Sequence, residues 1–163
     1  MNKYLNALKI AAFCNLALIA GLSPRMACAT LGEPEASVQA DAAQLQGTMQ
    51  SQASIKTMTN GGAYRVHEMQ LPSGTALREF VAPDGNVFAV AWKGPMPPNL
   101  RQAFGQYFDG FVAAAKQGSG DRNHVQIDTV DLVVQARGHA RSFVGRAYLP
   151  ASMPSGFDLG DLQ

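Results

Sequence analysis

At 163 residues, with 13 Lys and Arg against 12 Asp and Glu and 47% hydrophobic residues, the chain suits one globular domain with a core of its own. A formal net charge of +1 excludes the clear basic excess that nucleic-acid binding requires. Both cysteines, Cys14 and Cys28, precede residue 30, so a chain cleaved there has no disulfide, thiol nucleophile or Cys-ligated metal.

The N-terminus reads as an export signal. Lys3 and Lys9 form a basic region, residues 10–22 an uncharged apolar run, and Ala27-Cys28-Ala29 a small-x-small cleavage pattern. The run is shorter than the ~20 residues that span a bilayer. The expected product is a periplasmic or secreted chain cleaved after Ala29, with no stable membrane span. Arg25 stands where a lipidation box needs a small residue, which argues against a lipid on Cys28. Losing Lys3, Lys9 and Arg25 makes the remaining charge slightly negative.

Residues 30–60 form a polar lead-in. Ser37 is placed to cap a short helix carrying Val38, Ala42 and Leu45, with Gly47 ending it. Residues 48–58 alternate loosely, as either an edge strand or a mobile lead-in. Residues 61–95 read as three antiparallel strands joined by Pro72-Ser73-Gly74 and Pro83-Asp84-Gly85. In each turn proline presets φ and glycine accepts the positive φ that follows. Alternation changes phase at His67-Glu68, which predicts a bulge or strong twist there. The third strand is apolar on both faces, with Phe88, Val90 and Trp92 on one and Val87, Ala89 and Ala91 on the other. That pattern predicts a central strand covered on both sides.

Asn99 with Gln102 fits a capping box. Leu100, Ala103, Phe104, Tyr107, Phe108, Phe111, Val112 and Ala115 then keep helical spacing until Gly118. Residues 129–137 and 140–149 form a hairpin about Gly138-His139, with Val134 opposite Phe143 and Asp131 opposite Arg146. A short strand at 124–127 precedes it. Residues 150–163, with two prolines and two glycines, read as a tail. The expected fold is α+β: an antiparallel sheet of five or six strands, a three-strand meander plus a C-terminal hairpin, covered by one long helix. Its single domain occupies residues 61–149.

The stretches LGEP (31–34), LPSGT (71–75), REFVAPDGNVFAVAWKGP (78–95) and NLRQ with YF (99–108) resemble an exported bacterial family, domain of unknown function 2844. The resemblance implies a signal peptide and a Gram-negative setting. It implies no activity, cofactor or catalytic residue.

Candidate chemistry is sparse. His67-Glu68 is an adjacent imidazole–acid pair, but position 71 is Leu, so the second histidine of a helical zinc motif is missing. His124, Asp128 and Asp131, with Asp121, have oxygen-rich spacing without the glycine-centred loop of a calcium site. No metal or other cofactor is expected. Ser73 and Ser155 sit outside any nucleophile elbow, and Gly118-Ser119-Gly120 follows a helix where a phosphate-binding loop opens one. Phe104, Tyr107, Phe108 and Phe111 either line an apolar pocket or form the core under the helix. Arg137, His139, Arg141 and Arg146 gather near the hairpin, as a solvated tip or a contact for an anionic envelope component. These features favour a non-enzymatic exported domain that binds or supports another envelope component. The alternatives are a carrier of small apolar ligands using Phe104 and Phe108, and a hydrolase using His67 or His124 with a nearby carboxylate.

Overall fold

Two tight turns set the centre of the fold. Gly74 donates its N–H to Leu71 O and Gly85 to Ala82 O, both at 2.9 Å. Both glycines hold the left-handed φ expected of them, at 81° and 88°. These turns join three consecutive strands, which a computed structural model places in one large antiparallel sheet. The structure describes residues 31–50, 53–117 and 124–163. The expected signal segment 1–29 and the polar loop at 119–123 lie outside the described residues.

Among the described residues the sheet has eight strands: β1 (Thr48–Met49), β2 (Ser54–Thr57), β3 (Ala63–Gln70), β4 (Ala76–Val81), β5 (Val87–Gly94), β6 (His124–Asp128), β7 (Val133–His139) and β8 (Ser142–Tyr148). Their order is β1-β3-β4-β5-β8-β7-β6, with β2 also paired to β3. The sheet is thus larger than the five or six strands expected. Residues 48–58 supply the difference by adding two short edge strands. β5 is central and buried on both faces, as its doubly apolar sequence requires.

The single long cover helix is corrected to a broken pair. α2 (Leu100–Phe104) starts with the Asn99 side chain accepting from Gln102 N, the expected cap, while the Gln102 side chain donates to Gln44 Oε1 at 2.8 Å and so does not complete the capping box. It stops at Gly105, whose φ of 47° leaves the right-handed helical region. A 3-10 turn, Gly105–Tyr107, leads into α3 (Phe108–Gln117). A further helix, α1 (Val38–Gln44), follows the 3-10 turn Glu35–Ser37. The left-handed residue after it is Gln46, φ 54°, one position before the glycine expected to end it.

Each face of the sheet has its own core. On the helical face Leu77, Val81, Val87, Val90, Trp92, Val134 and Ala147 pack against Leu31, Val38, Ala103 and Phe104. On the other face Tyr64, Val66, Phe80, Phe88, Ala89 and Ala91 pack against Met153, Phe157, Leu159 and Leu162. Residues 150–163, read from the sequence as a tail, therefore form the second cover. Their apolar residues are spaced irregularly because the segment crosses the sheet in two 3-10 turns.

Three register expectations are also corrected. β3 and β4 pair without interruption from Arg65–Val81 to Gln70–Ala76, so the ladder toward β4 has no bulge at His67-Glu68; the register shifts there only on the other side of β3, between its pairing with β1 and with β2. The phase change arises because Tyr64 and Val66 serve one core and Met69 the other. The bulge lies between β4 and β5: Phe80 pairs with Ala89 and Val81 with Val87. Phe88 is left as the extra residue and joins the face opposite Val90 and Trp92. In the last hairpin Val134 pairs with Ala147 and Gly138 with Phe143, placing the turn at Ala140-Arg141. Arg141 takes the left-handed φ of 62°. Gly138 is needed elsewhere, because a Cβ there would enter the Phe143 ring. Gly145 is likewise needed beneath the Trp92 indole.

Candidate functional site

Two polar regions stand out, one on each face of the sheet. On the helical face the N-terminal segment is tied to the β4–β5 turn. Gly32 N donates to Val87 O at 2.7 Å and Glu35 N to Gly85 O at 2.8 Å. This fixes the Glu35 carboxylate above β3. Arg65 binds it with two nitrogens, Nε to Oε1 at 2.8 Å and Nη2 to Oε2 at 2.7 Å. His67 Nε2 meets Oε1 at 2.8 Å. The Arg65 guanidinium, helped by His67 and opposed by burial, holds the Glu35 carboxyl below the usual carboxylate range.

His67 is paired across the strands with Glu79, while Glu68 lies on the opposite face of β3. The expected His67-Glu68 couple is thus replaced by His67 with Glu35. Glu79 is 1% exposed and faces Asp41 of α1, which is 0% exposed. Burial first, and the Asp41 carboxylate second, push the Glu79 carboxyl well above the usual range. This cluster is a joint between cover and sheet. Ser37, the hydroxyl on the same segment, donates to Pro34 O at 2.6 Å and so is not presented to His67 as a nucleophile.

The sign of the resulting pH effect follows from the raised value. Folded chains hold the Glu79 proton more tightly than unfolded ones, so this group contributes most stability below its ordinary value of 4.5. That contribution falls as pH rises from there through the raised folded value. Glu35 acts in reverse, losing its contribution as pH falls through its lowered value. Glu79→Gln isolates the first effect. Its melting temperature should exceed that of the parent by several degrees on the alkaline side, with the gap closing toward acid pH. Two parallel melting profiles would refute the assignment.

The other face carries the basic residues. Antiparallel pairing aligns His124, Arg137, Val144 and Lys93 in one row across β6, β7, β8 and β5. The adjacent row is Gln126, Gln135, Arg146 and Ala91. These rows floor an open groove of about 440 Å³, bordered by Leu162 and Gln163. Arg146 is committed within the fold. Its Nε and Nη2 donate to Gln135 Oε1 at 2.9 and 2.7 Å, and its Nη1 to Leu159 O at 2.8 Å. Lys93, His124 and Arg137 are exposed and form no ion pair among the described residues. Among those residues no Asp or Glu lines the groove. Arg137 is therefore joined by Lys93, Gln126 and Gln135, which no local sequence signal singles out. Arg141 and His139 stay at the hairpin tip.

The remaining candidates separate. Phe104 is fully buried, packing on Trp92 and Phe111 with centroids at 6.2 and 5.1 Å. Phe108 lies under the Arg101 guanidinium at 4.3 Å. A cleft of about 300 Å³ beside them is lined by Tyr107 and Phe111, two of the four aromatic residues expected at a pocket, with Ile127 and Leu132, but not by Phe104 or Phe108. His124 and Asp128 lie on β6 and Asp131 in the loop after it. Asp121 lies outside the described residues, among which no cluster has the makings of a metal site.

The family model described as Protein of unknown function (DUF2844) matches residues 27–162, and the chain belongs to that family. No curated protein and no solved structure matches it. Among the described residues no helix is long and apolar enough to cross a membrane.

Proposed function

We propose that this family member is an exported, non-enzymatic binding domain whose β5-β8-β7-β6 face takes an anionic group of an envelope component. The observation that carries this reading is the groove floored by Lys93, Arg137 and His124 with no acidic side chain in its described lining. A sheet face of this kind is rigid, because each base is held by strands paired on both sides, or on one side for His124. Lys93 and Arg137 attract phosphate or carboxylate groups from strands that need no loop ordering, which lowers the entropic cost of binding. The export signal and the family resemblance support an envelope setting.

Co-sedimentation with vesicles tests the reading. Vesicles containing an anionic phospholipid should bind the protein, and purely zwitterionic vesicles should not. Binding should weaken with added salt. The double variant Lys93→Glu/Arg137→Glu is expected to lose about tenfold in affinity, a change of about 1.4 kcal/mol. Soluble inorganic phosphate that competes equally well would assign recognition to the phosphate alone. Equal binding of the parent and the double variant would remove the groove from the reading.

A further inference from the structure

The β6 edge offers a different kind of surface. β6 ends the sheet and pairs only with β7 among the described residues. Its sequence, His124-Val125-Gln126-Ile127-Asp128, contains neither the proline nor the lysine that commonly guards an open edge. At the opposite edge β2 carries Lys56. His124, Gln126 and Asp128 are exposed, Val125 is half-buried and Ile127 is buried.

We infer that β6 pairs with β6 of a second copy of this chain, antiparallel and centred on Gln126, to form one continuous sheet across a two-fold axis. The strand is its own complement in that register. His124 stands opposite the partner's Asp128, and by symmetry the same pair forms again at the other end. Gln126 meets the partner's Gln126, whose amides are both donor and acceptor. On the helical face Val125 meets the partner's Ile127, extending the apolar layer that already contains both residues. A histidine N–H facing a carboxylate can donate to it, and apolar side chains facing each other across strands stabilise an antiparallel ladder. Isologous contact closes at two copies, so the open edge is consumed and no fibre grows. His124 and Gln126 also line the groove, but self-association is read in the absence of any added anion.

Sedimentation velocity with charge reversal tests this register. The purified protein should form a dimer on concentration to roughly 100 µM, a range that populates modest interfaces. His124→Asp places two acids opposite each other at both ends, and Asp128→Lys places lysine opposite histidine. Each single change should weaken dimerisation about tenfold or more. The combined His124→Asp/Asp128→Lys chain should regain it, because a carboxylate again faces a nitrogen donor, with their order exchanged. Should either single variant fail to fold, Gln126→Cys in a background with Cys14 and Cys28 replaced by Ser provides the second measurement. Mild oxidation should link its copies at the symmetry axis. A parent that stays monomeric, a dimer unaffected by the charge changes, or a double variant no better than the singles would overturn the inference. A Gln126→Cys chain that fails to cross-link would do the same.

Discussion

A chain ending at Leu149 is expected to lose its cooperative unfolding transition. Residues 150–163 carry the second hydrophobic cover, and Phe157 is its centre. The Phe157 ring packs on Tyr64, Phe80 and Phe88 with centroids at 5.0, 6.1 and 4.9 Å, all near right angles. Further ties hold the segment in place. Tyr64 donates to Asp161 Oδ2 at 2.7 Å, Thr59 Oγ1 to Gly156 O at 2.8 Å, and Arg78 to Gln163 O. Removing this cover exposes three large aromatic rings, which bury ~150–250 Å² each when fully enclosed. At ~25 cal/mol per Å² the loss reaches several kcal/mol, much of the ~5–15 kcal/mol that holds a domain together. Calorimetry of the shortened chain checks this. A sharp transition at the parent's temperature would show the segment to be dispensable.

Phe104→Ala is expected to cost ~3–5 kcal/mol in urea unfolding, the range for a phenylalanine deleted from a closed core. Phe104 is fully enclosed between Trp92 and Phe111. The same substitution also separates core from carrier. Were Phe104 the wall of a ligand site, alanine would cost little stability and chiefly alter ligand binding. A loss below ~1 kcal/mol would therefore turn the reading back toward a carrier.

Local chemistry was legible and long-range chemistry was not. The Pro-x-Gly turns, the Asn99 cap and the central position of β5 each depend on a few neighbouring residues, and each is found as expected. The last hairpin shows the limit. Moving its turn from Gly138-His139 to Ala140-Arg141 preserves the alternation of faces, so hydrophobic pattern alone admits both registers. What decides is where Phe143 and Trp92 lie, since each needs a glycine beneath it. Phe88 illustrates the same limit, because one bulged residue reverses a face. For the helical-face cluster, His67 was visible as an unusual residue, but its partner Glu35 lies far away in sequence. Glu79 left a stronger trace. In Leu77-Arg78-Glu79-Phe80-Val81 it occupies an apolar phase, and Asp41 lies among Val38, Ala42 and Leu45 on the helix. Acids at two core-facing positions were a readable sign that the covers meet the sheet through ionisable groups. The groove required the strand order, which brings Lys93 of β5 into one row with Arg137 and His124.

The two covers also govern the order in which the chain can assemble. Turns of a few residues join β3 to β4 and β4 to β5, so these hairpins close at small entropic cost. β5 must then find β8 across the whole helical segment and two further strands. The segment leading into α1 emerges from the ribosome before the sheet does, yet its docking surface includes Val87 and Trp92, made later. Residues 150–163, made after every described strand, seal the opposite face. Such non-local closure makes for slow folding. A chain built this way stays open until residues 150–163 are available.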